Sequence, residues 1–217
     1  MENVADVVEQ LTSAQAAGFD LRGKQPELLA IEAVKRFAAK SHWVKAELTL
    51  GPTVAAQTVY TLPGQVVKLL DLLYGESTPY QAKSIRDLWD LKSGRAELVE
   101  SEYLGGIFAE RFSADGTLKQ FEIFPAPEEG GEALTGLASI VPPDITLETA
   151  LPFPEDKRRA VVDLAKAIAY EDTDEGFEPA TYFEKRANAE AESLFLLGNA
   201  RIGSGPYKIP VAGHRRR

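Results

Sequence analysis

With 217 residues, 44% hydrophobic and 26% charged side chains, the chain is long enough for one sizeable core or two small ones and has an ordinary globular balance. It contains no cysteine, which excludes disulfides, thiolate metal sites and thiol catalysis, and no apolar run near the ~20 residues that span a bilayer. The formal charge of −9 is divided unevenly: the last twenty residues hold five basic side chains and no acidic one, against 19 basic and 33 acidic before them. In chain order, Val4, Val7, Val8 and Leu11 fall on one helical stripe that stops at Gly18. Pro26 suits the first turn of a second helix, whose Leu28, Leu29, Ile31, Val34, Phe37 and Ala38 run on towards His42 and Trp43. Residues 1–44 are therefore predicted as a helical hairpin.

From Lys45 the period shortens, and KAELTL, QTVYTLPG and QVVKLLDLLYG read as strands of a β-rich insert over 45–150. SIRDLWDLK is one helical excursion, with Ser84 as cap and Ile85, Leu88 and Trp89 on one face. Asp115-Gly116 between IFAERF and LKQFEIF signals a hairpin, because glycine supplies the positive φ of the turn. EALTGLASIV adds a further strand beyond the Phe124-Pro125-Ala126-Pro127 break. Helical spacing returns over 151–197, first behind Pro154, Glu155 and Asp156 with Val161, Ala165 and Ile168 on one face, then from Pro179 to Leu197. A lone two-helix hairpin buries too little area, so the first pair is expected to pack on the last. The predicted fold is α+β: a helical bundle of N-terminal and C-terminal helix pairs carrying a β-rich insert, plus an extended tail over 198–217.

Catalytic chemistry is not legible. Only His42 and His214 offer imidazoles, and neither lies in a nucleophile motif; Gly203-Ser204-Gly205 lacks the spacing of a nucleophile elbow. His42 is read as a partly charged ring complementing a helix end. Asp172, Asp174 and Gly176 with Glu184 imitate a calcium loop, but the glycine falls one position early, so the segment is read as a solvated acidic link. Glu128, Glu129 and Glu132 are likewise a solvated loop. The expectation is a non-enzymatic protein without metal or cofactor. The start, MENVADVVEQ, has acid where a signal peptide needs base, so export by signal peptide is not expected.

Binding is more legible than catalysis. The tail has four glycines, two prolines and three terminal arginines, so it cannot bury enough apolar surface to fold alone and reads as an arm reaching for another molecule. Arg215, Arg216 and Arg217 suit an acidic or phosphate-bearing surface, Tyr207, Ile209 and Pro210 suit a groove, and Arg201 and Lys208 complete the candidate partner-binding residues. Trp43 and Trp89 are candidate interface anchors, with core-edge packing as the alternative.

The order of elements resembles the head-to-tail adaptor (connector, head completion) proteins of tailed bacteriophages. The resemblance rests on a helical pair ending at Trp43, the Tyr60-Thr61-Leu62-Pro63 step, a Phe-rich strand running into Phe124-Pro125, and Leu151-Pro152 before the closing helices and extended tail. It implies a ring of about twelve copies in the virion neck, assembled in the host cytoplasm, with the portal protein on one side and a tail or next neck protein on the other. It further implies that the arm lies between portal subunits and that DNA passes through the channel without specific binding, with no membrane involved. Other expectations are a tail completion or terminator protein and, from different classes, a small hydrolase or a module whose arm binds nucleic acid.

Overall fold

The computed structural model describes residues 3–75, 78–95, 106–171 and 177–202, with backbone alone described at 177–179 and 199–202. Two helices open the chain, α1 (Val4–Ala16) and α2 (Pro26–Ser41). Asn3 and Asp6 close a reciprocal capping box on α1, and Pro26 occupies the first turn of α2, where its missing N–H is no loss. The chain then builds β1 (Lys45–Pro52), β2 (Val59–Thr61), β3 (Val66–Tyr74), β4 (Thr78–Ala82), α3 (Ile85–Lys92), β5 (Ile107–Phe112), β6 (Lys119–Phe124) and β7 (Ala133–Ile140). A single 3-10 turn, Glu155–Lys157, leads into α4 (Arg158–Tyr170), and α5 (Phe177–Ile202) follows.

The helices from both chain ends share one core. Val4, Val7 and Leu11 of α1, Phe37 of α2, Leu164 of α4 and Leu194 of α5 belong to one buried cluster, closed by Ile145 and Phe153. Phe37 meets Phe153 edge to face, with ring centroids 4.8 Å apart. Backbone bonds from Val4 to Thr149 and from Ala5 to Leu147, each 3.0 Å, fasten the start of α1 to the segment that returns from the sheet. Burial runs nearly all round α4, from Ala160 to Ala169, because α1, α2 and α5 all pack on it.

The architecture is nevertheless not a helical bundle carrying a β-rich insert. Residues 45–140 form a seven-stranded mixed sheet, in the order β1-β7-β3-β4-β5-β6-β2, with a hydrophobic core of its own, so the sheet is a full partner of the helices in an α+β fold. The pairs are antiparallel except β4 with β5, whose parallel register is made possible by the α3 crossover. β1 and β2 are the two edges, yet only residues 53–58 join them, a span of at most roughly 25 Å from Pro52 to Val59. A flat sheet would hold those edges about 29 Å apart, so the sheet curls into a half-barrel. Tyr60 of β2, Leu69 and Leu72 of β3, Phe121 of β6 and Leu134 of β7 consequently meet in a single inner cluster, against which Leu48 and Leu50 of β1 also pack.

Pairing between β3 and β4 covers only Leu72 to Tyr74, and the open stretch of β3 is satisfied by side chains from across the curl. The Leu69 N–H donates to Glu110 of β5 at 2.6 Å, and the Lys119 ammonium of β6 donates to the Val67 carbonyl. Both groups would otherwise be unpaired in a partly buried place, which is unfavourable.

Candidate functional site

β5 and β6 alternate between two faces with period two. Phe108, Phe121 and Ile123 enter the inner core, which turns Ile107, Ala109, Arg111 and Glu122 outward beneath α3. Ser84 and Asp87 cap α3 reciprocally, and Leu88 is the one fully committed apolar residue of the helix, packed with Ile107 and Ala109. A second tie is ionic. Glu122, only 5% exposed, accepts from Arg111 Nη1 at 2.7 Å and from Lys92 Nζ on α3. Burial pushes the Glu122 carboxyl up, but the hydrogen bonds from Lys92 and Arg111 outweigh it and hold the pKa below the usual glutamate value.

Between α3 and the β5–β6 hairpin lies an open groove of about 590 Å³ with Lys92, Arg111 and Glu122 on its floor. Its apolar wall is turned to solvent: Trp89 is 56% and Phe112 61% exposed, and Ile85 is exposed beside them. Leu118 adds another exposed apolar side chain on the same hairpin. Arg95 stacks over the Trp89 ring at 4.7 Å, leaving a cation–aromatic surface of the kind that anchors protein contacts. The sequence placed Ile85, Leu88 and Trp89 on one face; the structure buries Leu88 and leaves the other two on the surface.

The chain matches no protein-family model. No curated protein matches it either.

The remaining sequence candidates separate clearly. Trp43 is half-buried against the helical core, with Gly198 of α5 beside its ring, so its geometry is that of packing where the helical layer meets the sheet. Arg201 lies in the last turn of α5, whose backbone continues through Gly198 to Ile202. Tyr207, Lys208, Ile209, Pro210, Arg215, Arg216 and Arg217 lie outside the described residues, as do Asp172, Asp174 and Gly176 of the acidic link. Glu184, the distal member of that set, pairs with Lys40 of α2 at 3.0 Å.

His42 departs from the sequence reading. It occupies the C-cap of α2 with a φ of 49°, its Nδ1 stands 3.1 Å from Ser139 Oγ on β7, and Phe195 lies against its ring. Burial, with Lys68 and Lys119 nearby, lowers its pKa below the ordinary value, so at neutral pH the ring is neutral and couples α2 to the sheet instead of complementing the helix dipole by charge. A second groove, about 540 Å³, runs between α1, α4 and α5. Asp163 at its side is buried and has its pKa raised by that burial despite Arg186 at 3.3 Å, so the groove is occupied by its own charge pairs. Among the described residues no group of three or more His, Cys, Asp or Glu side chains is arranged to hold a metal ion, and no helix is long and apolar enough to cross a membrane.

Proposed function

We propose that this protein is a structural adaptor of a tailed-phage neck, working without catalysis: a ring of about twelve copies of the folded body joins the portal to the tail, and the basic C-terminal arm docks on the portal. The observation that carries the reading is the change in composition after Ile202. Up to that residue α5 is a continuous helix anchored in the core by Ala187, Ala191 and Leu194; beyond it lies a segment of glycine, proline and four basic residues with no acid. Such a segment finds burial for Tyr207, Ile209 and Pro210 only against another surface. The order of helices, strands and helices, with α1 and α2 meeting α4 and α5 in one helical layer, supports the same reading. A net negative body lets DNA pass through a ring without adhering, since adhesion needs clustered basic surface.

Co-sedimentation with portal rings from the same source tests the proposal, using the full chain and a chain ending at Ile202, at low and moderate salt. The full chain is expected to sediment with the portal, more weakly as salt rises. The truncated chain should keep its thermal midpoint and remain in the supernatant. Equal docking by both chains would remove the arm from the mechanism; docking by neither would remove the portal.

A further inference from the structure

Beyond the Phe124 end of β6 stands a second feature, chemically opposite to the α3 groove. Residues 53–57 are clamped to the 127–132 loop by Thr53 N–H to the Glu132 carbonyl at 2.7 Å, Gly131 N–H to the Thr53 carbonyl at 2.9 Å and Ala56 N–H to the Pro127 carbonyl at 2.9 Å. The Glu132 N–H also donates to Thr53 Oγ1 at 3.1 Å, and Thr53 itself is buried. The approach is so close that a Cβ on Gly130 would come within 3.2 Å of the Thr53 carbonyl oxygen. This fixed knob carries the exposed side chains of Glu128, Glu129, Glu132 and Val54. No basic residue occurs in the chain between Lys119 and Lys157.

The groove has the reverse composition. Lys83 to Arg95 holds four basic and two acidic residues, and on the groove floor Lys92 and Arg111 face the single carboxylate of Glu122. An acidic knob with a small apolar tip thus matches a groove with a cationic floor and an aromatic wall. Within one copy the two are not joined: no residue of 127–132 lines the groove, and the knob loop is clamped in place. We propose that the Glu128–Glu132 knob of one copy seats in the Trp89 groove of a second copy. Such a contact uses two different surfaces, so it is head-to-tail and propagates from copy to copy until it closes. Closure into a ring rests on the adaptor reading above, whereas the pairwise contact rests on the two surfaces alone.

The test is complementation between full-length variants followed by sedimentation velocity. Trp89→Asp spoils only the groove, and Glu128→Lys with Glu129→Lys spoils only the knob; all three side chains are exposed, so thermal midpoints should match the wild type. If Trp89→Asp does not fold, Arg95→Glu replaces it as the groove variant. The wild type should self-associate, more weakly in high salt, and each variant alone should associate at least about tenfold more weakly. An equimolar mixture of the two should form a dimer and stop there, since one intact groove meets one intact knob and the other pair is broken. The proposal is overturned by a wild type that stays monomeric at its highest soluble concentration, by variants that associate as the wild type does, or by a mixture that remains monomeric. A chain that co-sediments with portal rings yet fails complementation would remove this contact and leave the adaptor reading in place.

Discussion

In the helical layer, charged side chains tie one helical segment to another: Arg36 of α2 reaches Glu171 at the end of α4, Lys40 reaches Glu184 and Asn188 on α5, and Lys157 reaches Glu190 on α5. Beneath those ties lies a core of small and medium side chains with two interlocked phenyl rings. On the α3 side of the sheet, the ion triad of Lys92, Glu122 and Arg111 sits under a helix that commits only Leu88 fully, and Trp89, Ile85 and Phe112 are left facing water. The contrast separates surface that completes the fold from surface with apolar area to spare. Isolated exposed apolar residues are normal, but a gathered aromatic face beside a groove marks an interaction site.

The comparison breaks first in the helical layer. Phe37→Ala empties the centre of the shared core and should destabilise the chain by about 3–5 kcal/mol in chemical denaturation. A loss near zero would mean that the two helical pairs do not depend on each other. Gly136→Ala probes the inner face of the half-barrel. Its Cβ would lie 2.7 Å from Leu69 Cδ1 and 3.0 Å from Leu50 Cδ1, so a loss of about 1–3 kcal/mol is expected; an unchanged midpoint would argue against so tight a curl.

Glu122→Ala leaves Lys92 and Arg111 without their shared carboxylate. Both cations reach solvent, so the loss should be about 1–2 kcal/mol, below that of a fully buried pair, with a shift in Trp89 emission as α3 loosens. The His42 effect is smaller and depends on pH. Its folded pKa lies below the ordinary 6.5, so its stabilising share is complete above that pH and is lost as pH falls through the folded value. His42→Asn, which tolerates the left-handed C-cap, should flatten the fall in thermal midpoint below about pH 6.5. An equally steep fall in the variant would assign it to other groups. Smallest of all, Trp89→Ser should change monomer stability by no more than about 0.5 kcal/mol, which sharpens the contrast with Phe37.

Signals confined to a few neighbouring residues were legible. The Val4, Val7 and Leu11 stripe is buried as its spacing requires, Pro26 opens α2, Ser84 caps α3, and Gly116 turns the β5–β6 hairpin with a φ of 73°. The candidate site was half legible. Trp89 stood out as a large aromatic on a short amphipathic helix, but the sequence weighed it equally with Trp43, and their difference lies in what each packs against. β4 escaped notice, since TPYQA is short, opens beside a proline and has no clear alternation. The clamped acidic knob escaped as well: Thr53 and Glu132 are far apart in the chain, and nothing local announces their bond.

By itself the sequence determined where helices start, where strands turn and how charge divides at the C-terminal arm, because caps, turn glycines and periodicity act over a handful of residues. Only the tertiary structure decided that the β region is a curled seven-stranded sheet with its own core and not an insert on a bundle. That outcome depends on short connections joining strands at opposite edges and on side chains such as Glu110 and Lys119 satisfying β3 from across the curl. Such bonds pair residues remote in sequence, and the burial that makes them favourable does not exist until the chain has closed.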